Sequence, residues 1–152
     1  MVTHKKFDNT ANKNGTVKFE LDTDESEGTK KFFCLTAPFI DTLRSGNILL
    51  VDELESSLHP LLTLSLISLF NDPKVNKNGA QLIFATHDTN LLNQELFHKS
   101  QIWFTEKNSF GATHLTSLVE FKNIRQTDNI EKAYTQGKFG AIPYLGSFRG
   151  TE

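Results

Sequence analysis

The stretch Ile48-Leu49-Leu50-Val51-Asp52-Glu53-Leu54-Glu55-Ser56 decides how this chain is read. Four consecutive apolar residues predict a strand buried on both faces, as in a parallel sheet covered by helices. Two acids follow at once. They stand at the carboxyl end of the strand, the edge at which open α/β sheets bind ligands. One carboxylate there, Asp52, can hold a magnesium ion, and its neighbour Glu53 can orient an attacking water. An acidic surface loop after a core strand is the plainer alternative.

Outward from this stretch, Pro60 suits the first turn of a helix that runs to about Phe70 and stops at Asn71-Asp72-Pro73. Gln81–Ala85 predicts a second buried strand, followed by Thr86-His87-Asp88. If the two strands are sheet neighbours, His87 comes to the same edge as Glu53. An imidazole there can sense a terminal phosphate and fix the water. Alternatively, His87, Thr86 or Asp88 caps the segment that follows. Upstream, the apolar spacing of Lys30–Leu43 predicts a helix with a kink at Pro38. Ser26-Glu27-Gly28-Thr29 stands before it. A helix N-terminus offers free N–H groups and partial positive charge. Gly28 lets a phosphate approach the backbone, Ser26 adds a hydroxyl, and Lys30 and Lys31 add charge. An ordinary N-cap explains the same four residues.

Residues 1–15 are polar and rich in Asn and Lys, and read as a flexible N-terminal segment. Val17–Leu21 alternates as a short strand does, and Asp22–Thr29 reads as an acidic loop. Asn90–Leu96 predicts a short helix. Gln101–Thr105 and His114–Leu118 predict strands joined by Asn108-Ser109-Phe110-Gly111 as a hairpin. Asn129–Gln136 predicts a last helix, and Gly137–Gly150 a loop-rich tail in which Phe139 packs on the sheet. Trp103 reads as core or a packing face. Strand–helix–strand alternation with apolar strands predicts an α/β sheet covered by helices, in one domain over residues 16–150.

Length and composition bound the rest. The 152 residues suffice for one domain, and 38% hydrophobic content makes a core feasible. Thirteen Phe against a single Met point to a core of rings and aliphatics. A net charge of −2 argues against a generally basic nucleic-acid binder, though a local basic patch is compatible with it. With one cysteine, Cys34, no internal disulfide can form, which fits a reducing cytosol and a cytoplasmic protein. The five histidines have no close ligand spacing and no cysteine partner, which argues against zinc. His59 reads as part of the loop after Glu53. No apolar run reaches the roughly 20 residues of a membrane span, and no membrane partner is expected.

In their order, these segments carry a resemblance. From about Val17 to Leu145 the chain resembles the C-terminal half of an ABC-type ATPase head, of the AAA-family group related to OLD-type and other phage-defence ATPases. Ser26-Glu27-Gly28-Thr29-Lys30-Lys31 stands where that family has its signature turn. Ile48–Glu53 matches its Walker B motif, Leu54–Pro60 its D-loop, and Ala85–Asp88 its switch histidine. Gln101–Glu106 and Gly137–Tyr144 resemble family segments that transporters lack. The resemblance implies the C-terminal lobe of a P-loop NTPase head: a three-layer α/β sandwich with a mainly parallel sheet, partial over residues 16–150. It implies ATP and Mg2+ as cofactors, with Asp52 as the magnesium carboxylate, Glu53 as the catalytic base and His87 as the switch. Ser26, Gly28 and Thr29 would act on nucleotide held by a partner.

The sequence departs from the family in one decisive respect. No Gly-x-x-x-x-Gly-Lys-Ser/Thr occurs, so the phosphate cradle and its lysine are absent. The expectation is a fragment that works with a missing Walker A half or a homodimer partner, and that alone hydrolyses ATP barely or not at all. Without the flanking strands, an apolar sheet edge would invite pairing with another chain. A nuclease effector and nucleic acid are further expected partners. A non-catalytic dimerisation module derived from such an ATPase is the second expectation. A transporter ATPase, the third, fits the segments after His87 badly.

Overall fold

The structure, a computed structural model, describes residues 1–7, 13–93, 95–122, 124–125 and 128–142. The chain divides into two compact units, Met1–His87 and Asp88–Glu152, where a single domain over 16–150 was expected. The architecture is α/β.

The first unit opens with a hairpin. Strand β1 (Val2–Phe7) pairs antiparallel with β2 (Lys13–Phe19), with a register shift between Lys5 and Phe7. Part of the segment expected to be flexible is therefore a strand. Its lysines hid the signal, because neither face of the hairpin is buried enough to demand apolar alternation.

Helix α1 (Glu27–Ser45) is longer than its apolar spacing suggested and runs through Pro38 without ending there. Gly46 closes it in the left-handed region, its N–H bonded to Thr42 O at 2.9 Å. The Asn78 side chain donates to Arg44 O at 2.7 Å and ties the helix end to the loop before the next strand. Strand β3 (Ile48–Val51) follows. Helix α2 (Pro60–Asn71) carries Pro60 in its first turn and is capped by the His59 imidazole, which accepts the Leu61 N–H. Asn76 braces the return. Its amide donates to Phe70 O and Ala80 O and accepts the Ala80 N–H, all within 2.9 Å. That brace delivers the chain to β4 (Gln81–Phe84), which pairs parallel with β3 in register, Ile48 opposite Gln81 through Val51 opposite Phe84.

The core of this unit is Phe39, Leu54, Leu58, Leu66, Ile67 and Ala80, with Phe39 edge-on to Phe70 at 5.4 Å. The β3–β4 sheet is half-buried on one face, through Leu49, Val51, Leu82 and Phe84. Its other face is open, with Ile48 56%, Leu50 74% and Ile83 52% exposed. Burial of this strand on both faces was the expectation, and the structure corrects it.

The second unit holds a hairpin of β5 (Trp103–Lys107) and β6 (Thr113–Ser117), as the turn at Asn108–Gly111 predicted. The Asn108 carbonyl oxygen of the side chain accepts the Phe110 and Ala112 N–H groups and shapes that turn. Helix α3 (Ile130–Thr135) starts after an Asn129 cap. Ile102, Phe104, Leu118, Ile130 and Phe139 form the core. Phe104 lies stacked between Tyr134 and Phe139, with centroids 5.5 and 5.0 Å away. Trp103, expected to pack, is 53% exposed, because it alternates with buried Phe104 along β5. Among the described residues, the predicted helix Asn90–Leu96 shrinks to a single 3-10 turn over Thr89–Leu91. Of the expected tail, residues 143–150 lie outside the described residues.

Among the described residues the strands make three separate two-stranded sheets, and only β3–β4 is parallel. The mainly parallel sheet of a three-layer sandwich is not assembled from these strands. The β5–β6 pair is joined by the local turn at Asn108–Gly111, which enforces antiparallel pairing. No helix among the described residues is long and apolar enough to cross a membrane.

Candidate functional site

Parallel pairing of β3 and β4 sends both chains off the same edge of the sheet. Leu54 N–H bonds to Ala85 O there at 3.3 Å, holding the two exits together, and the Leu54 side chain is fully buried. Beside this anchor, the Glu53 and His87 side chains reach into solvent. His87 Nε2 stands 3.8 Å from Glu53 Oε1, and both side chains are more than half exposed. Asp52 is exposed at the same strand end.

Glu53 has φ 48° and Ser57 has φ 61°, both left-handed. Side chains there cost roughly 1 kcal/mol or more each, so the surrounding contacts must hold the turn. Lys31, from α1, does so in part by donating its Nζ hydrogen to Glu53 O. The strained turn sits between the strand and the α2 cap, and it is this turn that presents the Glu53 carboxylate.

Ser26 is the N-cap of α1, its Oγ accepting the Thr29 N–H at 3.2 Å and lying 2.9 Å from the Thr29 hydroxyl. The plain capping alternative is therefore realised. Glu27 pairs with Lys30 at 2.8 Å within the same turn. A Cβ on Gly28 would stand 2.6 Å from Ser57 O, so the backbone of the turn after Glu53 already fills that space. The glycine lets α1 and the 53–58 turn meet in van der Waals contact. Capping near His87 falls to Asp88, whose carboxylate accepts the Asn90 N–H at 3.0 Å. The imidazole of His87 is thus left for other uses.

Sequence reasoning passed over Glu55. Its carboxylate accepts the His87 backbone N–H at 2.8 Å and a hydrogen bond from the Thr86 side chain. Partial burial pushes its pKa up, but these hydrogen bonds and the nearby His87 charge outweigh burial, and the carboxyl sits below the ordinary 4.5. Glu55 stands two residues after Glu53, so the signal was present as a third acid in the same run.

The rim so formed offers a solvent-facing carboxylate pair, an imidazole against one of them, and a hydrogen-bonded backbone beneath. Asp52 would be the carboxylate available to a magnesium ion. Among the described residues no three His, Cys, Asp or Glu side chains converge on a metal site. A lone carboxylate fits a magnesium ion that takes its other ligands from phosphate and water, the usual arrangement beside nucleotides.

Residues 5–93 match the family model described as "AAA domain, putative AbiEii toxin, Type IV TA system". No curated protein and no solved structure matches the chain. The matched span contains α1, β3, α2, β4 and the Glu53–His87 rim, and it covers more than half of the sequence. The chain therefore belongs to this family of AAA domains.

Proposed function

We propose that this chain is the hydrolytic lobe of an ABC-type, OLD-like ATP-binding head that serves phage defence. One observation carries the reading: His87 and Glu53 face each other at 3.8 Å beyond two parallel strands paired in register. In this reading Glu53 holds the attacking water in line and accepts its proton. His87, beside it, donates a hydrogen bond to the terminal phosphate. Asp52 would hold Mg2+, which supplies charge neutralisation on the phosphate oxygens when bound. Ser26 and Thr29 would face nucleotide held by a second head, with Gly28 fixing the distance between α1 and the catalytic turn.

The sequence has no Walker A loop, so the phosphate cradle has to come from another segment or chain. A Walker A-bearing half, a second copy, a nuclease effector and nucleic acid are the partners this reading calls for, in the cytoplasm. The family description, with its toxin and toxin–antitoxin wording, supports a defence setting.

Phosphate release from Mg-ATP tests the reading, measured on the chain alone and mixed with a Walker A-bearing half. Release in the mixture that disappears with Glu53→Gln supports it. A second reading, a non-catalytic dimerisation module, is favoured by the open Ile48, Leu50 and Ile83 face. Sedimentation showing stable association, with no phosphate release in either sample, would favour the module.

A further inference from the structure

The second unit contains a cavity of about 730 Å³ that no part of the ATPase reading uses. Its volume lies within the roughly 300–1,000 Å³ of small-molecule sites. Among the described residues, Lys122, Lys132 and Lys138 line it, against a single acid, Asp128. Among the described residues none of these three lysines has an ion-pair partner. Lys99, by contrast, is committed to Ile124 O. Three ammonium groups against one carboxylate leave a local excess of positive charge around the concavity, on a chain of net charge −2.

The remaining lining is not that of a bare anion hole. Phe139 is nearly buried, stacked on Phe104, with Phe121 edge-on to it at 5.0 Å. These fixed rings give the cavity an apolar wall. Asn129 accepts the Lys132 N–H with its Oδ1, which leaves its Nδ2 donors for a ligand. Gln136 adds a second amide. Ammonium groups, a ring wall and amides together match the parts of a nucleotide: phosphate, planar base and base edge.

We infer that this cavity binds a nucleotide unit, with its phosphate on the lysines and its base against the Phe121–Phe139 wall. Free nucleotides and single-stranded nucleic acid share this chemistry. The inference stands on the second unit alone and does not require ATP hydrolysis at the Glu53–His87 rim.

The test uses the full chain and three probes: AMP by calorimetry, a fluorescein-labelled single strand of ~12 nucleotides by anisotropy, and orthophosphate as competitor. The expected result is binding of AMP, the strand or both, weakened about tenfold or more by Lys132→Glu with Lys138→Glu. Lys107→Glu, on the β5–β6 hairpin outside the cavity, should leave it unchanged. Binding should weaken as salt rises. AMP alone identifies a free nucleotide as the ligand, and the strand alone identifies a polymer. Should the double reversal fail to fold, Lys132→Gln with Lys138→Gln reads the same loss. Failure of both probes to bind, or equal weakening by Lys107→Glu, overturns the inference. Glu53→Gln, which should abolish phosphate release in the mixture with a Walker A-bearing half, should leave nucleotide binding by the chain intact, and that separates the two sites.

Discussion

The carboxylate of Glu55 accepts the backbone N–H of His87 at 2.8 Å. This bond runs from the turn after β3 to the segment after β4, so it fixes the histidine's backbone relative to the glutamate it faces. The first prediction follows from it. Glu55→Ala leaves the His87 N–H and the Thr86 hydroxyl without this acceptor and should cost about 1–2 kcal/mol. Urea unfolding measures the loss. Hydrogen exchange at the His87 amide should accelerate more than exchange at amides of α2. Equal acceleration throughout the unit would mean that Glu55 merely stabilises the fold.

The same carboxyl sets a pH dependence. Its folded pKa lies below the ordinary 4.5, because hydrogen bonds to the charged form prevail over burial. A depressed carboxyl contributes stability that is present above the unfolded value and is lost as pH falls through the folded one. Urea midpoints between about pH 6 and pH 3 should fall below about 4.5. The fall should be shallower in Glu55→Gln. An identical pH profile in the two proteins would remove Glu55 as the source.

Gly28 and Gly79 make a matched pair. A Cβ at Gly28 would sit 2.6 Å from the Ser57 carbonyl, which is backbone and cannot swing aside. Gly28→Ala should destabilise by roughly 1–3 kcal/mol, the range for overpacking. Gly79 has φ +70° but nothing within 4 Å, so Gly79→Ala should cost only about 1 kcal/mol of left-handed strain. Thermal unfolding ranks the two. The reverse order would show that α1 and the 53–58 turn separate easily.

Thr63 should be improvable. Its side chain is fully buried in α2, and its Oγ1 has no hydrogen-bond partner. Thr63→Val keeps the shape and removes the orphaned hydroxyl. It should stabilise by about 1 kcal/mol, read as a rise in the urea midpoint at unchanged slope. A loss of stability would mean that the hydroxyl is satisfied in solution.

These particulars show why some features were readable and others were not. The run Ile48–Val51, Pro60 at a helix start, the Asn108–Gly111 turn and the Asn129–Gln136 segment are local signals, and each element formed about where expected. Parallel pairing of β3 with β4 followed from two apolar strands separated by a helix. Exposure could not be read this way. Four apolar residues in a row say that a strand prefers burial, and which neighbours cover it is settled by the rest of the sheet. Polar β1 hid because an exposed hairpin needs no hydrophobic face. At the rim, Asp52, Glu53 and His87 were visible as residue types, whereas Glu55 acts through a backbone N–H that has no sequence signature. Gly28 was visible as a glycine, but its neighbour, the Ser57 carbonyl, was not.

The open sheet face supplies the last prediction. Leu50 is 74% exposed and Ile83 52%, side by side across β3 and β4 in register. Contiguous apolar surface of this kind marks an interaction face. Because neither side chain contributes much buried area within the unit, replacing both with Lys should change unfolding free energy by no more than about 0.5 kcal/mol. Association is another matter. If this face meets a second copy or a Walker A-bearing half, two ammonium groups there would have to be desolvated on contact. Sedimentation over a concentration series should show the wild-type chain associating and Leu50→Lys with Ile83→Lys remaining monomeric. A double variant that associates as the wild type does would move the contact to another surface. A double variant that unfolds would show that these side chains are held inside the unit after all.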